Sequence, residues 1–234
     1  MAGQFPRVAA TLFALGMVVA NGACGGGGST AQLRVLLASP TVASVDVYVD
    51  DKSVFTSLAY SANTGYISVI SGTRHLRILP AGATSNPLVD ESVTIAASGQ
   101  ATVVVEGASP SVSGLILTDS NTAPAAATAM LRLANAAPEM GTADVYVVAA
   151  GASLISGQPT VPQLAYGAVS SYQTLSIPTT STSQEFSVFF TKPGTTQAVL
   201  ASGPITFTAG QIRTLVGLDS LNGGFTFVTL ADLD

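Results

Sequence analysis

The segment Asp46-Val47-Tyr48-Val49 occurs a second time, unchanged, as Asp144-Val145-Tyr146-Val147. Two flanking matches share that spacing of 98 residues. Leu33-Arg34-Val35 returns as Leu131-Arg132-Leu133, and Ala38-Ser39-Pro40 returns as Ala136-Ala137-Pro138. Further along, the offset grows: Leu58-Ala59-Tyr60 returns as Leu164-Ala165-Tyr166 at 106, and Gly99-Gln100 as Gly210-Gln211 at 111. Self-similarity at one long period means one structural unit written twice. The growing offset places insertions between matched strands of the second copy, at the loop-like stretches 150–162 and 179–184. The fold must therefore be completed within the first copy and made again in the second.

Within each copy the apolar period is two rather than 3.6, the period of strands. Leu33, Val35 and Leu37 share a face, with Arg34 between them. Val45, Val47 and Val49 lie opposite Asp46, Tyr48 and Asp50. Val93 and Ile95 flank Thr94, and Phe186, Val188 and Phe190 repeat the rule in the second copy. Turn-forming groups such as Asn63-Thr64-Gly65, Ala81-Gly82 and Pro193-Gly194 break these runs. Short alternating strands at such spacing predict an all-β chain of two tandem antiparallel β-sandwich domains, immunoglobulin-like in architecture. The cysteine pair and core Trp of true immunoglobulin domains are missing. The expected boundaries are a leader at 1–24, a Gly-rich tether at 25–31, one sandwich at 32–120, a linker at 121–129 and the other sandwich at 130–234. Alternation lapses across the linker, which contains Pro124 and is too short for a stable helix.

The leader reads as an export signal. Arg7 and the amino terminus are cationic, residues 8–20 are apolar, and Gly22, Ala23 and Cys24 follow. A helix of that apolar length rises about 20 Å, short of the roughly 30 Å hydrocarbon core. Cys24 is the only cysteine, so no intramolecular disulfide forms. The run Asn21-Gly22-Ala23-Cys24, followed by four glycines, resembles a bacterial lipoprotein signal, although Asn21 stands where an aliphatic residue is usual. That resemblance implies a diacylated Cys24 as the first mature residue, and a Gly-rich tether holding the folded part off a bilayer. Ordinary cleavage after Ala20, leaving a free thiol, is the alternative. The expected localisation is the cell envelope, lipid-anchored, periplasmic or surface-exposed.

The two copies together resemble the bacterial surface repeat catalogued as domain of unknown function 4397. The residues that carry the likeness are the strand 33–37, the turn Ala38-Ser39-Pro40 and the strand 45–49, then Leu58-Ala59-Tyr60, residues 72–78 and Pro80-Ala81-Gly82. The second copy keeps the opening and the Leu-Ala-Tyr but lacks a clear Pro-Ala-Gly step. The resemblance implies an exported β-sandwich protein and transfers no catalytic residues.

Composition narrows the function classes. Charged residues are 9% of the chain, against roughly a quarter in ordinary soluble domains. Beyond the leader, seven basic residues face thirteen acidic ones, which argues against a nucleic-acid partner. Asp46, Asp50 and Asp51 are candidate oxygen ligands for Ca²⁺, but the second copy has Val148 and Ala149 in place of the last two, so a structural carboxylate is the competing reading. His75 is the only histidine, and no Gly-x-Ser-x-Gly elbow occurs. One His and one Cys exclude a zinc site of conventional ligands, and no cofactor is expected. A carboxylate pair acting on a glycoside stays open as a third reading, without Trp to form a sugar platform. The six tyrosines fall into the matched pairs 48 with 146, 60 with 166, and 66 with 172. Tyr48 and Tyr146 are candidate binding residues if they face outward, and scaffold residues otherwise. The expected function is a non-enzymatic envelope module, structural or interacting with a protein or glycan. The alternative is a binder of glycan or peptide through the longer tip loops of the second copy, around 150–162.

Overall fold

The computed structural model describes residues 28–155 and 157–234. The leader expected at 1–24, Cys24 with it, and most of the expected tether lie outside that range. The N-terminal unit contains β1 (Thr30–Leu37), β2 (Ser44–Val49), β3 (Lys52–Ala59), β4 (Ile67–Ile70), β5 (Gly72–Pro80), β6 (Val89–Ile95), β7 (Gln100–Ala108) and β8 (Ser111–Asp119). The C-terminal unit contains β9 (Thr128–Asn135), β10 (Ala143–Ala149), β11 (Val161–Leu164), β12 (Ala168–Val169), β13 (Gln173–Ser176), β14 (Ser183–Thr191), β15 (Ala198–Thr208), β16 (Ile212–Asp219) and β17 (Phe225–Leu233). No helix occurs among the described residues. The all-β sandwich expectation is met. Because β9 begins at Thr128, the connection between units is 120–127 rather than 121–129.

Each unit packs two sheets. In the N-terminal unit the orders are β4-β1-β7-β8 and β3-β2-β5-β6. In the C-terminal unit they are β12-β9-β16-β17, with β13 also on β9, and β11-β10-β14-β15. Alternation builds both cores. Leu33, Val35, Leu37, Val103 and Val105 meet Val45, Val47, Leu76, Ile78 and Val93 in one. Leu131, Leu133 and Leu215 meet Val145, Val188, Phe190 and Phe207 in the other. The sheets are not wholly antiparallel, because β1 runs parallel to β7 and β9 parallel to β16. Parallel strands need a long crossover, and here the whole second sheet of each unit supplies it.

β1, β7, β9 and β16 are buried on nearly every residue, so both of their faces are covered. Leu33, Val35 and Leu37 face their own core, while Leu36 and Ala38 face a third apolar cluster. That cluster also draws Val104 and Leu117 from the N-terminal unit, and Ala134, Ala136, Val216, Leu218 and Leu230 from the other. The β4-β1-β7-β8 sheet thus lies face to face on the β12-β9-β16-β17 sheet, and the molecule is four sheets deep.

The repeated aspartates hold the outer sheets. Register slips on either side of Asp46 and of Asp144, marking a bulge in each partner strand. The bulged residues Ser57 and Gln163 take left-handed backbone, at φ 56° and 50°. Asp46 accepts from the Ser57 N–H at 2.8 Å and from the Gly82 N–H at 2.9 Å. Asp144 accepts from Gln163 at 2.8 Å and Gly194 at 2.7 Å. Gly82 and Gly194 both sit at positive φ, so Pro193-Gly194 takes the place of the Pro-Ala-Gly step in the C-terminal unit. These bonds, Gly82 first, hold the Asp46 carboxyl below its ordinary value, against a smaller desolvation effect. A lowered folded-state value gives stability that is present above the unfolded-state value and lost as pH falls through the folded one. Asp46→Ala is expected to lower the unfolding free energy by about 1–3 kcal/mol at neutral pH, measured by urea denaturation. The deficit should shrink in acid, where the wild-type carboxyl is protonated as well.

Candidate functional site

The seam between the two inner sheets carries the densest chemistry in the molecule. Arg34 on β1 reaches across to Asp232 on β17 at 2.5 Å. In the reverse sense, Arg132 on β9 pairs with Asp119 on β8. Every supporting contact is duplicated. The Arg34 Nε donates to Thr102 Oγ1 at 2.9 Å, and the Arg132 Nε to Thr214 Oγ1 at 2.9 Å. Their Nη1 groups donate to the Ala231 and Thr118 carbonyls, at 2.7 and 2.8 Å. Thr102 donates to Asp119 and Thr214 to Asp232, both at 2.5 Å. Tyr66 and Tyr172 donate to the same two carboxylates at 2.8 Å each. The Tyr66 ring also lies 4.4 Å from the Arg34 guanidinium carbon, and the Tyr172 ring 4.7 Å from that of Arg132. Burial and the adjacent carboxylates push both phenols up.

The four charges are at most 7% exposed. Their donors and acceptors are engaged by each other, by threonines and by backbone. A buried ion pair of this sort adds little net stability, but removing one member leaves a buried charge alone, at a cost of about 3–5 kcal/mol. The seam therefore specifies how the units dock. Equivalent side chains from the two units exchange partners around a pseudo-twofold axis. Their spacing is 98 at Arg34 and Arg132, 106 at Tyr66 and Tyr172, 112 at Thr102 and Thr214, and 113 at Asp119 and Asp232.

The symmetry breaks most sharply at Glu106. Glu106 on β7 faces the seam, 5% exposed, and its Oε2 has no hydrogen-bond partner. Gly167 of the C-terminal unit packs on it so closely that a Cβ there would stand 3.2 Å from Glu106 Oε1. Burial raises the Glu106 carboxyl to about 7. Tyr166, beside it, is raised by burial and by the charges of Glu106 and Asp219. Tyr60, the match of Tyr166, donates to the Asp219 carbonyl across the seam. Four of the six tyrosines thus serve the junction, and the scaffold reading of the matched pairs holds for them.

At the rim of the seam a groove of about 650 Å³ is lined by residues 40–43, 59–61 and 220–222, with Thr226. Leu221 on its wall is 62% exposed. This hollow draws on the β16–β17 turn of the C-terminal unit. Thr160, from the 150–162 stretch, instead lies beside β10, its Oγ1 accepting from the Val147 N–H at 2.9 Å.

The other candidates named from sequence are scattered. Asp50 pairs with Arg74 at 3.0 Å and accepts from the His75 N–H, and Asp51 pairs with Arg77 at 2.7 Å. With Asp46 clamped to backbone, the three aspartates do not converge. Among the described residues, no three His, Cys, Asp or Glu side chains come together as a metal site. His75 contacts Asp90 at 2.6 Å on an exposed sheet face. Tyr48 lies against the Arg77 guanidinium at 5.8 Å, while its match Tyr146 is buried with an unpartnered hydroxyl. Sequence reasoning passed over Arg34, Asp119, Arg132, Asp232 and Glu106. The first and third stood in the repeated Leu-Arg-Val/Leu segment, a charge kept inside an apolar strand in both copies.

Residues 31–146, from β1 into β10, match the family described as "Domain of unknown function (DUF4397)". The comparison with curated proteins returns no match. One similar solved structure concerns alpha-glucan recognition by family 41 carbohydrate-binding modules from streptococcal virulence factors. It is 13% identical with a TM-score of 0.25, and the match covers 79% of this chain and 92% of that one. Another is a leucine-rich repeat protein from Bacteroides thetaiotaomicron, 11% identical with a TM-score of 0.21, covering 80% of this chain and 25% of that one.

Glu106 gives the seam a pH dependence. Its folded-state value lies above the ordinary 4.5, so the folded protein binds more protons than the unfolded chain between about 4.5 and about 7. Its contribution to stability therefore falls as pH rises through that window. Glu106→Gln is expected to raise the thermal midpoint above pH 7 and to flatten its pH profile from 4.5 to 7, read by scanning calorimetry across a buffer series.

Proposed function

We propose that this chain is a non-catalytic cell-envelope lipoprotein whose two tandem copies of one sandwich act as a single structural or interaction module. The observation that carries this reading is the seam. The buried charges best placed for chemistry, Arg34, Asp119, Arg132 and Asp232, are bonded to one another and join two units into one body. What remains outside is a sparsely charged, Ser- and Thr-rich surface with ion pairs at Asp50–Arg74, Asp51–Arg77 and Arg213–Asp234. Such a surface suits a spacer or docking platform more than a reaction centre. Lipid on Cys24 would hold the body at a membrane, with the envelope protein or glycan it meets as its partner.

A second reading is favoured by the rim groove. An extended peptide or a glycan fragment fits a hollow of that size, with Leu221 as an apolar contact and Thr41, Ser61 and Asn222 as polar ones.

Cys24→Ser is expected to move the protein from the membrane pellet to the soluble fraction on cell fractionation. A serine variant that stays in the pellet would overturn the anchored reading. For the body itself, calorimetric titration with cell-wall glycan fragments and peptides should give no saturable heat. Saturable binding that Leu221→Asp abolishes would replace the structural reading by the second one.

A further inference from the structure

Apart from its covalent link and the Glu106 site, the seam is isologous: each unit contributes the same Arg, Asp, Thr and Tyr, and the pairs that meet across it meet again in reverse. Each face therefore carries both halves of the lock, an Arg donor and an Asp acceptor, with its own Thr and Tyr in support. The apolar floor is shared in the same way by Leu36, Val104 and Leu117 on one side and their matches Ala134, Val216 and Leu230 on the other. Each unit also closes its own core without the other. Only the connection at 120–127 keeps the pairing within one chain. Its bonds run from the Asn121 amide to the Ser98 carbonyl at 3.0 Å, from the Ser120 N–H to the Tyr172 hydroxyl at 3.2 Å, from the Ile177 N–H to the Ala127 carbonyl at 2.9 Å, and from the Thr128 N–H and hydroxyl to the Ala125 carbonyl. Those eight residues, extended, reach about 26 Å.

We propose that the seam face is a recognition surface for a second copy of this chain. In the exchanged dimer, the N-terminal unit of one molecule packs on the C-terminal unit of another, and reciprocally. No contact is lost, since Arg34–Asp232 and Arg132–Asp119 form between chains as they do within one. The closed molecule is favoured in dilute solution, where a short connection holds the faces at an effective concentration on the order of mM. Crowding on a surface, or any change that spoils closure, favours exchange. The inference rests on the seam alone and stands whether or not Cys24 carries lipid.

Charge reversal separates the two arrangements. One full-length variant carries Arg34→Asp with Asp119→Arg, and a second carries Arg132→Asp with Asp232→Arg. Inside either variant, like charges meet at both pairs, so its own seam cannot close. Between the two variants every pair is again of opposite sign. Mixed in equal amounts, they are expected to give a species of twice the chain mass by sedimentation. Association of either variant alone, through like units, reports the same face and also supports the proposal. Single-chain mass for both variants and for their mixture overturns it. As a readout that keeps the native seam residues, the chain lacking residues 121–124 should run as a dimer, because too short a connection favours pairing between molecules. A shortened chain that stays monomeric overturns the proposal equally.

Discussion

Two guanidinium groups and two carboxylates lie sealed between sheets, and the arrangement of the molecule follows from the need to satisfy them. An ion removed from water costs several kcal/mol even after the protein relaxes. Arg34 and Arg132 offset that cost only where the opposite unit presents its aspartate and a β-strand carbonyl together. Sliding one sheet over the other by a strand's pleat would part each arginine from the carboxylate and carbonyl it meets across the seam. The apolar cluster around them supplies attraction without direction, whereas the ion pairs supply direction with little net attraction. Together they turn two sandwiches into a four-layer stack with one docking geometry.

Much of this was legible in the chain, and the rest was hidden for physical reasons. Period-two alternation marks which residues share a face, so the cores around Leu33, Val47 and Phe190 could be read directly. It does not say what covers the other face. Arg34, between Leu33 and Val35, could equally point to water. Only its recurrence as Arg132 hinted otherwise. The parallel pairing of β1 with β7 joins segments far apart in sequence, and nothing local encodes it. The repeated Asp46 stood out, but its duty depends on the bulged Ser57 and the turn at Gly82, which pattern alone does not bring together. Glu106 escaped because comparison of the copies rewards likeness, and its equivalent position holds Leu218.

The two units differ most where the seam does not reach. Tyr48 is stacked with Arg77 on an open sheet face, while Tyr146 is enclosed. The outer sheet of the N-terminal unit carries ion pairs at Asp50 and Asp51 and a His75–Asp90 contact that the C-terminal unit does not reproduce at matched positions. The inner sheets, by contrast, keep the same strand pairing and the same four polar residue types.

That contrast bears on how a chain like this can change. The spacing between matched residues widens from 98 at the arginines to 113 at the aspartates, yet the members of each pair still meet. Most of the added length has been taken up between the outer strands β10 and β11 and in the connection from β13 to the outer strand β14, with a single residue added between β16 and β17. The outer sheets and their loops therefore form a shell open to drift, grafting and enlargement, around an inner pair of sheets whose geometry is inherited almost as a unit.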